Sequence, residues 1–317
     1  MGIMIGIMML ITIALVLMNE KRNRDVVETV ANKRVSLNPA MAAKLLFNRS
    51  LSANDITSGL LFLANENVLT LSNEGGTPVF KASRSSKAQA EDERFLIEWI
   101  CYEIGKNGHF SVTDLESFTN DKQKMEAYLQ HLEEWERRIV ERMKALHLYH
   151  PLIKRRMILI GCGLLGVVTG SAYLFFQPFI GIGLLCLALV SFSMIPVISP
   201  LTAKGRVEQK KLLGYYESLK TIENKEKGER DLTKAFIYAI AFNVVDRFLT
   251  AFPIQEAGEV KVSQEPFPLY YFAPTGTAFL SMEGVKLYRD MEQGFYRVEH
   301  PPMVYEDVDS STGLENG

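Results

Sequence analysis

Two uncharged apolar runs, residues 157 to 176 and 179 to 199, stand back to back across Gln177-Pro178, with Lys154-Arg155-Arg156 before them and Lys204 and Arg206 after. At about 1.5 Å per residue, each run makes a helix roughly 30 Å long, the thickness of a bilayer's hydrocarbon core. Backbone placed there must satisfy its own hydrogen bonds, so these residues dictate a helical hairpin. A third apolar segment, Met1 to Met18, is followed at once by Glu20-Lys21-Arg22-Asn23-Arg24. It has neither the leading positive charge nor the cleavage site of a signal peptide, and reads as an uncleaved anchor.

Lys and Arg concentrate after the first segment, before the second and after the third, while the hairpin connection carries none. The positive-inside rule then puts the N-terminus outside and residues 19 to 156 and 200 to 317 in the cytoplasm. The net charge of -2 predicts no general attraction to nucleic acid. Cys101, Cys162 and Cys186 are too scattered for disulfide or metal-ligand spacing.

Gly161-Cys162-Gly163-Leu164-Leu165-Gly166 spells the dinucleotide fingerprint. That motif works where a strand turns into a helix whose free N–H groups meet a pyrophosphate, and here it sits inside an apolar helix. Gly163, Gly166 and Gly170 share one face and are read as helix-packing positions. Lys204, Arg206, Lys210 and Lys211 are read as lipid-facing basic residues of a juxtamembrane helix.

The first cytoplasmic region divides into a winged-helix-like unit (residues 30 to 85) and a helical unit (91 to 150). In the former, Pro39 starts a helix, a Ser52/Asp55 capping box opens a second ending near Asn65, and Val68 to Leu71 and Pro78 to Ala82 pair as strands. In the latter, a helix from Asp92 to Ile104 stops at Gly105, and a short helix follows at Val112 to Phe118. A long helix, Asp121 to His147, then carries an apolar stripe through Met125, Tyr128, Leu129, Leu132, Trp135, Ile139, Met143 and Leu146. Residues 200 to 252 read as juxtamembrane helices, the second from about Asp231 to Phe252, and residues 253 to 317 as a largely irregular tail.

Catalytic constellations are missing from the sequence. His147 and His150 have metal-ligand spacing but no third ligand near them, and there is no HExxH, GxSxG or P-loop string. Glu91 to Glu93 and Glu133 to Glu136 read as solvated helix faces. Asp55 and Glu66 would meet DNA phosphate with the wrong sign. No cofactor and no metal is expected.

Leu37-Asn38-Pro39-Ala40, Asp55-Ile56, Leu60-Leu61-Phe62-Leu63-Ala64, Pro200-Leu201-Thr202-Ala203-Lys204-Gly205 and the apolar helix Ala235 to Phe252 follow one another in an order with a known counterpart. The chain resembles the bacterial predicted membrane protein family of the YciQ type, a domain of unknown function. Against that family it looks shortened, without the extracytoplasmic β domain, and Asn65-Glu66-Asn67 stands where the family usually has glycine. The resemblance brings no catalytic residues. The expected fold is a mainly α membrane protein with three transmembrane helices and cytoplasmic α+β winged-helix-like units. The expected role is a non-enzymatic scaffold or signalling adaptor in the bacterial inner membrane, contacting lipid and a protein partner or a second copy through its membrane helices. The alternatives are a membrane-tethered DNA-binding regulator and an accessory subunit of a transport or envelope complex.

Overall fold

A computed structural model describes residues 2–25, 37–74, 77–82, 90–119, 121–149, 152–195, 201–222, 232–255, 270–272 and 278–300. The first helix, α1, is Gly2–Asp25. Then come α2 (Pro39–Phe47), α3 (Ala53–Asn65), β1 (Leu69–Glu74) and β2 (Thr77–Ala82). Asn38 caps α2 by accepting from the Met41 N–H at 2.9 Å, with Pro39 in the first turn, where its missing N–H costs nothing. Asp55 reaches back to the Ser52 N–H at 2.9 Å and closes the capping box that opens α3.

The helical unit begins with α4 (Glu91–Ile97), continued without a break by a π-helical stretch, Glu98–Ile104. Gly105 ends it because a Cβ there would lie 2.0 Å from the His109 carbonyl oxygen. Next is β3 (His109–Ser111), which the sequence reading did not contain. β3 pairs with β2 in antiparallel register, Phe80 opposite Phe110, giving the sheet order β1-β2-β3. The two units that the sequence separated therefore share a sheet. A 3₁₀ turn (Val112–Leu115), α5 (Glu116–Thr119) and α6 (Lys122–Ala145) complete this part.

The apolar hairpin is α7 (Leu152–Leu174) and α8 (Pro178–Met194). Among the described residues one helix, Arg156–Leu174, is both long and apolar enough to cross a membrane; Pro178–Met194 is apolar but shorter. After the hairpin come α9 (Ala203–Lys220), α10 (Leu232–Ala241), α11 (Val245–Ala251), β4 (Ile254–Gln255), β5 (Tyr270–Phe272), β6 (Ala278–Ser281) and α12 (Met282–Glu299). The strands β4, β6 and β5 form a second small sheet.

Three α-helices stop in the same way at a residue that is not glycine. At Asn67, His147 and Asn243 φ is 57°, 58° and 55°, and the following N–H reaches back five residues, to Leu63, Met143 and Ala239. This is the Schellman closure, and Asn and His tolerate its left-handed position better than most residues. Asn243 splits the single helix expected over residues 231 to 252 into α10 and α11.

One hydrophobic core runs from Leu37 to Val298 and draws on both sides of the hairpin. Trp99, Tyr128, Phe80, Phe110 and Trp135 come from before it, and Phe236, Phe248 and Phe295 from after it, all essentially without solvent contact. The expectation of a largely irregular tail over residues 253 to 317 is corrected at Met282–Glu299 by α12; residues 256–269, 273–277 and 301–317 lie outside the described residues. The Ser281 cap of α12 accepts from Gly284 N–H at 3.1 Å, and Val285, Tyr288, Met291, Phe295 and Val298 are buried. The spacing of these residues is helical, but the prolines and aromatics before them obscured it. Truncating Phe295, which stacks 5.8 Å from Phe110, to Ala is expected to cost about 3–5 kcal/mol, as in other buried Phe-to-Ala changes. The measurement is chemical unfolding of the detergent-solubilised full chain; an unchanged midpoint would return α12 to the status of a tail.

Candidate functional site

The glycines of α7 lie against the other two apolar helices. A Cβ on Gly163 would fall 2.7 Å from the Phe192 ring, one on Gly166 would fall 2.7 Å from Met9 Cε and 3.0 Å from Ala188 Cβ, and one on Gly170 would fall 3.0 Å from Leu185 Cγ. Gly161 has nothing within 4 Å, so the fingerprint string is one open and two packed positions inside a continuous helix. From α1, Met9 and Ile13 are buried against the hairpin while Ile3, Met4, Ile7 and Met8 face outward.

At its base the hairpin is closed by a clasp. Tyr149 and Leu201 form an antiparallel bridge, and the Thr202 N–H donates to the Leu148 carbonyl at 3.0 Å. The Thr202 hydroxyl donates to the His147 carbonyl at 2.6 Å and accepts from the Gly205 N–H at 2.9 Å, capping α9 at the same time. Lys204 Nζ donates to the Leu146 carbonyl at 2.8 Å, one of the unpaired carbonyls at the end of α6. A Cβ on Gly205 would lie 2.2 Å from the Leu148 oxygen, which allows only glycine. Each residue of Leu201-Thr202-Ala203-Lys204-Gly205 except Ala203 therefore has a defined contact in the clasp. His147 belongs to it through its backbone; His150 lies outside the described residues, and among those residues no group of three or more His, Cys, Asp or Glu has a metal-holding arrangement.

The four basic residues read as lipid-facing do not share a face. At about 100° per residue, Lys204 and Lys211 fall on one side of α9 and Arg206 and Lys210 on the other. Lys204 is engaged at the clasp, and Lys211 is 12% exposed and paired with Glu208 at 2.7 Å. Lys210 and, on α7, Arg156 are exposed.

Beneath the clasp, buried polar groups tie helix ends together. Asp92 is held by Arg142 at 2.9 Å and by the Asn38 amide at 3.0 Å, joining α4, α6 and the start of α2. Arg49 grips the buried Asp55 through both carboxylate oxygens and also donates to the Ala241 carbonyl at 3.0 Å, joining α3 to α10. Lys44 pairs with Glu136 at 2.6 Å, whose other oxygen accepts from the Leu51 N–H at 3.0 Å. Tyr128 donates to Glu299 of α12 at 3.2 Å.

Burial pushes Asp55, Asp92 and Glu299 above the ordinary carboxylate range; Arg49 and Arg142 oppose the shift at the two aspartates, and the Ala53 N–H and then the Tyr128 hydroxyl oppose it at Glu299. Asp92 and Glu136 thus correct the reading of their stretches as solvated faces, and Asp55 is a buried cap, not a charge offered to phosphate. Charge runs at helical spacing carry no sign of which member turns inward.

Residues 35–252 match the family model described as Predicted membrane protein (DUF2207) C-terminal domain. The chain belongs to this family. The match covers the clasp, the hairpin and the ion pairs, and leaves α1 and α12 outside it. This is the family that the motif order pointed to. No curated protein and no solved structure matches the chain. The signals missed in the sequence were the partners of motif residues: Asn38 and Lys204 stand in the quoted motifs, but Asp92 and Leu146, which they bond, are more than 50 residues away.

The clasp is tested by glycine. Gly205→Ala must displace backbone and is expected to lower the thermal midpoint by several degrees, whereas Gly214→Ala, with nothing within 4 Å on the same helix, is expected to be stabilising by about 0.5–1 kcal/mol. Equal effects at the two positions would exclude a backbone clash. Glu299 supplies a pH test. Its folded-state pKa lies above the ordinary 4.5, so the native state binds the extra proton and the penalty for burying the charge is present at neutral pH and fades on acidification. Compared with Glu299→Gln, the wild type is expected to gain thermal stability as the pH is lowered from neutral toward 4.5, and the absence of any gain would exclude a raised pKa.

Proposed function

We propose that the protein is a multi-pass inner-membrane protein with its folded body in the cytoplasm, acting as a non-enzymatic scaffold or signalling adaptor. The observation that carries this reading is the single core built from both sides of the hairpin. Such a core cannot be assembled across a bilayer, since its helices touch. A hairpin that spans therefore leaves both soluble parts on one face, the face that the Lys and Arg distribution makes cytoplasmic. Packing of Met9 and Ile13 on the hairpin supports α1 as a third membrane helix.

The helix-helix-hairpin order of residues 37–82, with β3 added to the hairpin, supports the winged-helix-like description. A DNA-reading role is not favoured. In α3, Ile56, Thr57, Ser58, Gly59, Leu60 and Leu61 are all buried, so the helix that would lie in a groove is covered. Charged side chains that might have served chemistry are instead bonded to helix ends. A rigid body clasped to membrane helices suits the presentation of surface to partners.

Topology is checked by single cysteines placed between residues 83 and 89 and between 256 and 260. Both are expected to react with an impermeant maleimide in inside-out vesicles and to be protected in right-side-out ones; opposite protection at the two sites would sink the arrangement. Crosslinking and mass spectrometry of native membranes are expected to recover a protein partner joined to the body, and crosslinks confined to the chain itself would remove the adaptor role.

A further inference from the structure

The tip of the hairpin is built for lipid. Phe175, Phe176 and Phe179 are 88, 83 and 89% exposed, grouped around Gln177-Pro178. From Met157 through Ala203 the sequence contains no Asp, Glu, Lys, Arg or His. The turn also makes backbone hydrogen bonds of its own. The Phe176 and Gln177 N–H groups both donate to the Tyr173 carbonyl, at 3.1 and 2.7 Å, the Gln177 carbonyl accepts from Ile180 and Gly181 at 3.1 Å, and Pro178 has no N–H. A turn lying in water would gain nothing from this apolar surface, whereas one lying at a dry boundary needs both features.

Length sets the depth. Arg156, exposed at the base, marks the near interface, and the nineteen residues Arg156–Leu174 rise about 28 Å, just short of the roughly 30 Å hydrocarbon core. We propose that the hairpin ends in the far leaflet, with Phe175, Phe176 and Phe179 among the acyl chains next to the headgroups and no residue of the tip in water beyond them. The occupant of this aromatic cluster is lipid, not a periplasmic protein. The inference rests on the membrane reading above and adds that the hairpin contacts the far side only through lipid.

The test places a tryptophan at the tip. The native Trp99 and Trp135 are buried in the body and give a constant background, so the difference between Phe179→Trp and wild type in vesicles reports the tip. Flotation of the vesicles is scored first, and a chain that does not float overturns the membrane reading itself. For the floating protein, the added emission is expected to be quenched more by phospholipids brominated near the glycerol end of their chains than by those brominated near the methyl end, and little by acrylamide in the aqueous phase. Dominant acrylamide quenching would overturn the inference by putting the tip in water. Stronger quenching from the methyl-end bromines would overturn it by stopping the tip at mid-bilayer. Phe176→Trp, on the turn and outside both helices, repeats the measurement should Phe179→Trp fail to fold.

Discussion

The fold depends on the closure of one apolar core from two stretches of chain that the hairpin keeps apart in sequence. α2, α3 and α6 precede the hairpin, and α9, α10 and α12 follow it, yet each half leaves an apolar face that only the other half covers. Burial of aromatic side chains such as Phe236 and Phe295 supplies the main stabilisation, at roughly 25 cal/mol per Å² of apolar surface. The hairpin therefore cannot be a passive tether, because its two ends must emerge at positions that let the core close.

That requirement explains the clasp. Backbone and side-chain hydrogen bonds between His147–Leu148 and Thr202–Gly205 fix the exit of α6 beside the start of α9. The buried ion pairs have a different role. A charge removed from water needs a partner, and such pairs add little net stability while penalising any arrangement that separates them. Arg49 to Asp55 and Ala241, and Arg142 to Asp92, accordingly fix which helix ends meet. Tyr238, whose hydroxyl donates to the Leu37 carbonyl, does the same between α10 and the start of α2.

Local signals in the sequence were legible where a helix or strand is specified by neighbours in the chain. The Asn38-Pro39 start, the Ser52/Asp55 capping box and the Gly105 stop depend on contacts within a few residues, and the helix boundaries follow them. The buried stripe of α6 was equally plain, although Leu129 and Leu146, expected in it, are 42% and 37% exposed. β3 was not, since three residues have no period to read and His109–Ser111 becomes a strand only by pairing with β2. α12 was obscured by the proline- and aromatic-rich segment before it.

By itself the sequence determined the apolar hairpin, its charged flanks and the glycines on one side of α7, because helical periodicity and the absence of charge are local properties. It also contained the Leu201 to Gly205 motif without revealing its purpose. Tertiary structure alone decided that this motif clasps the end of α6, that Asp92 and Glu136 turn inward, and that the regions on either side of the hairpin are one body. The physical reason is the same in each case. A hydrogen bond, an ion pair or a buried face is defined by a partner, and here partners can lie as far apart as Tyr238 and Leu37, separated by 201 residues.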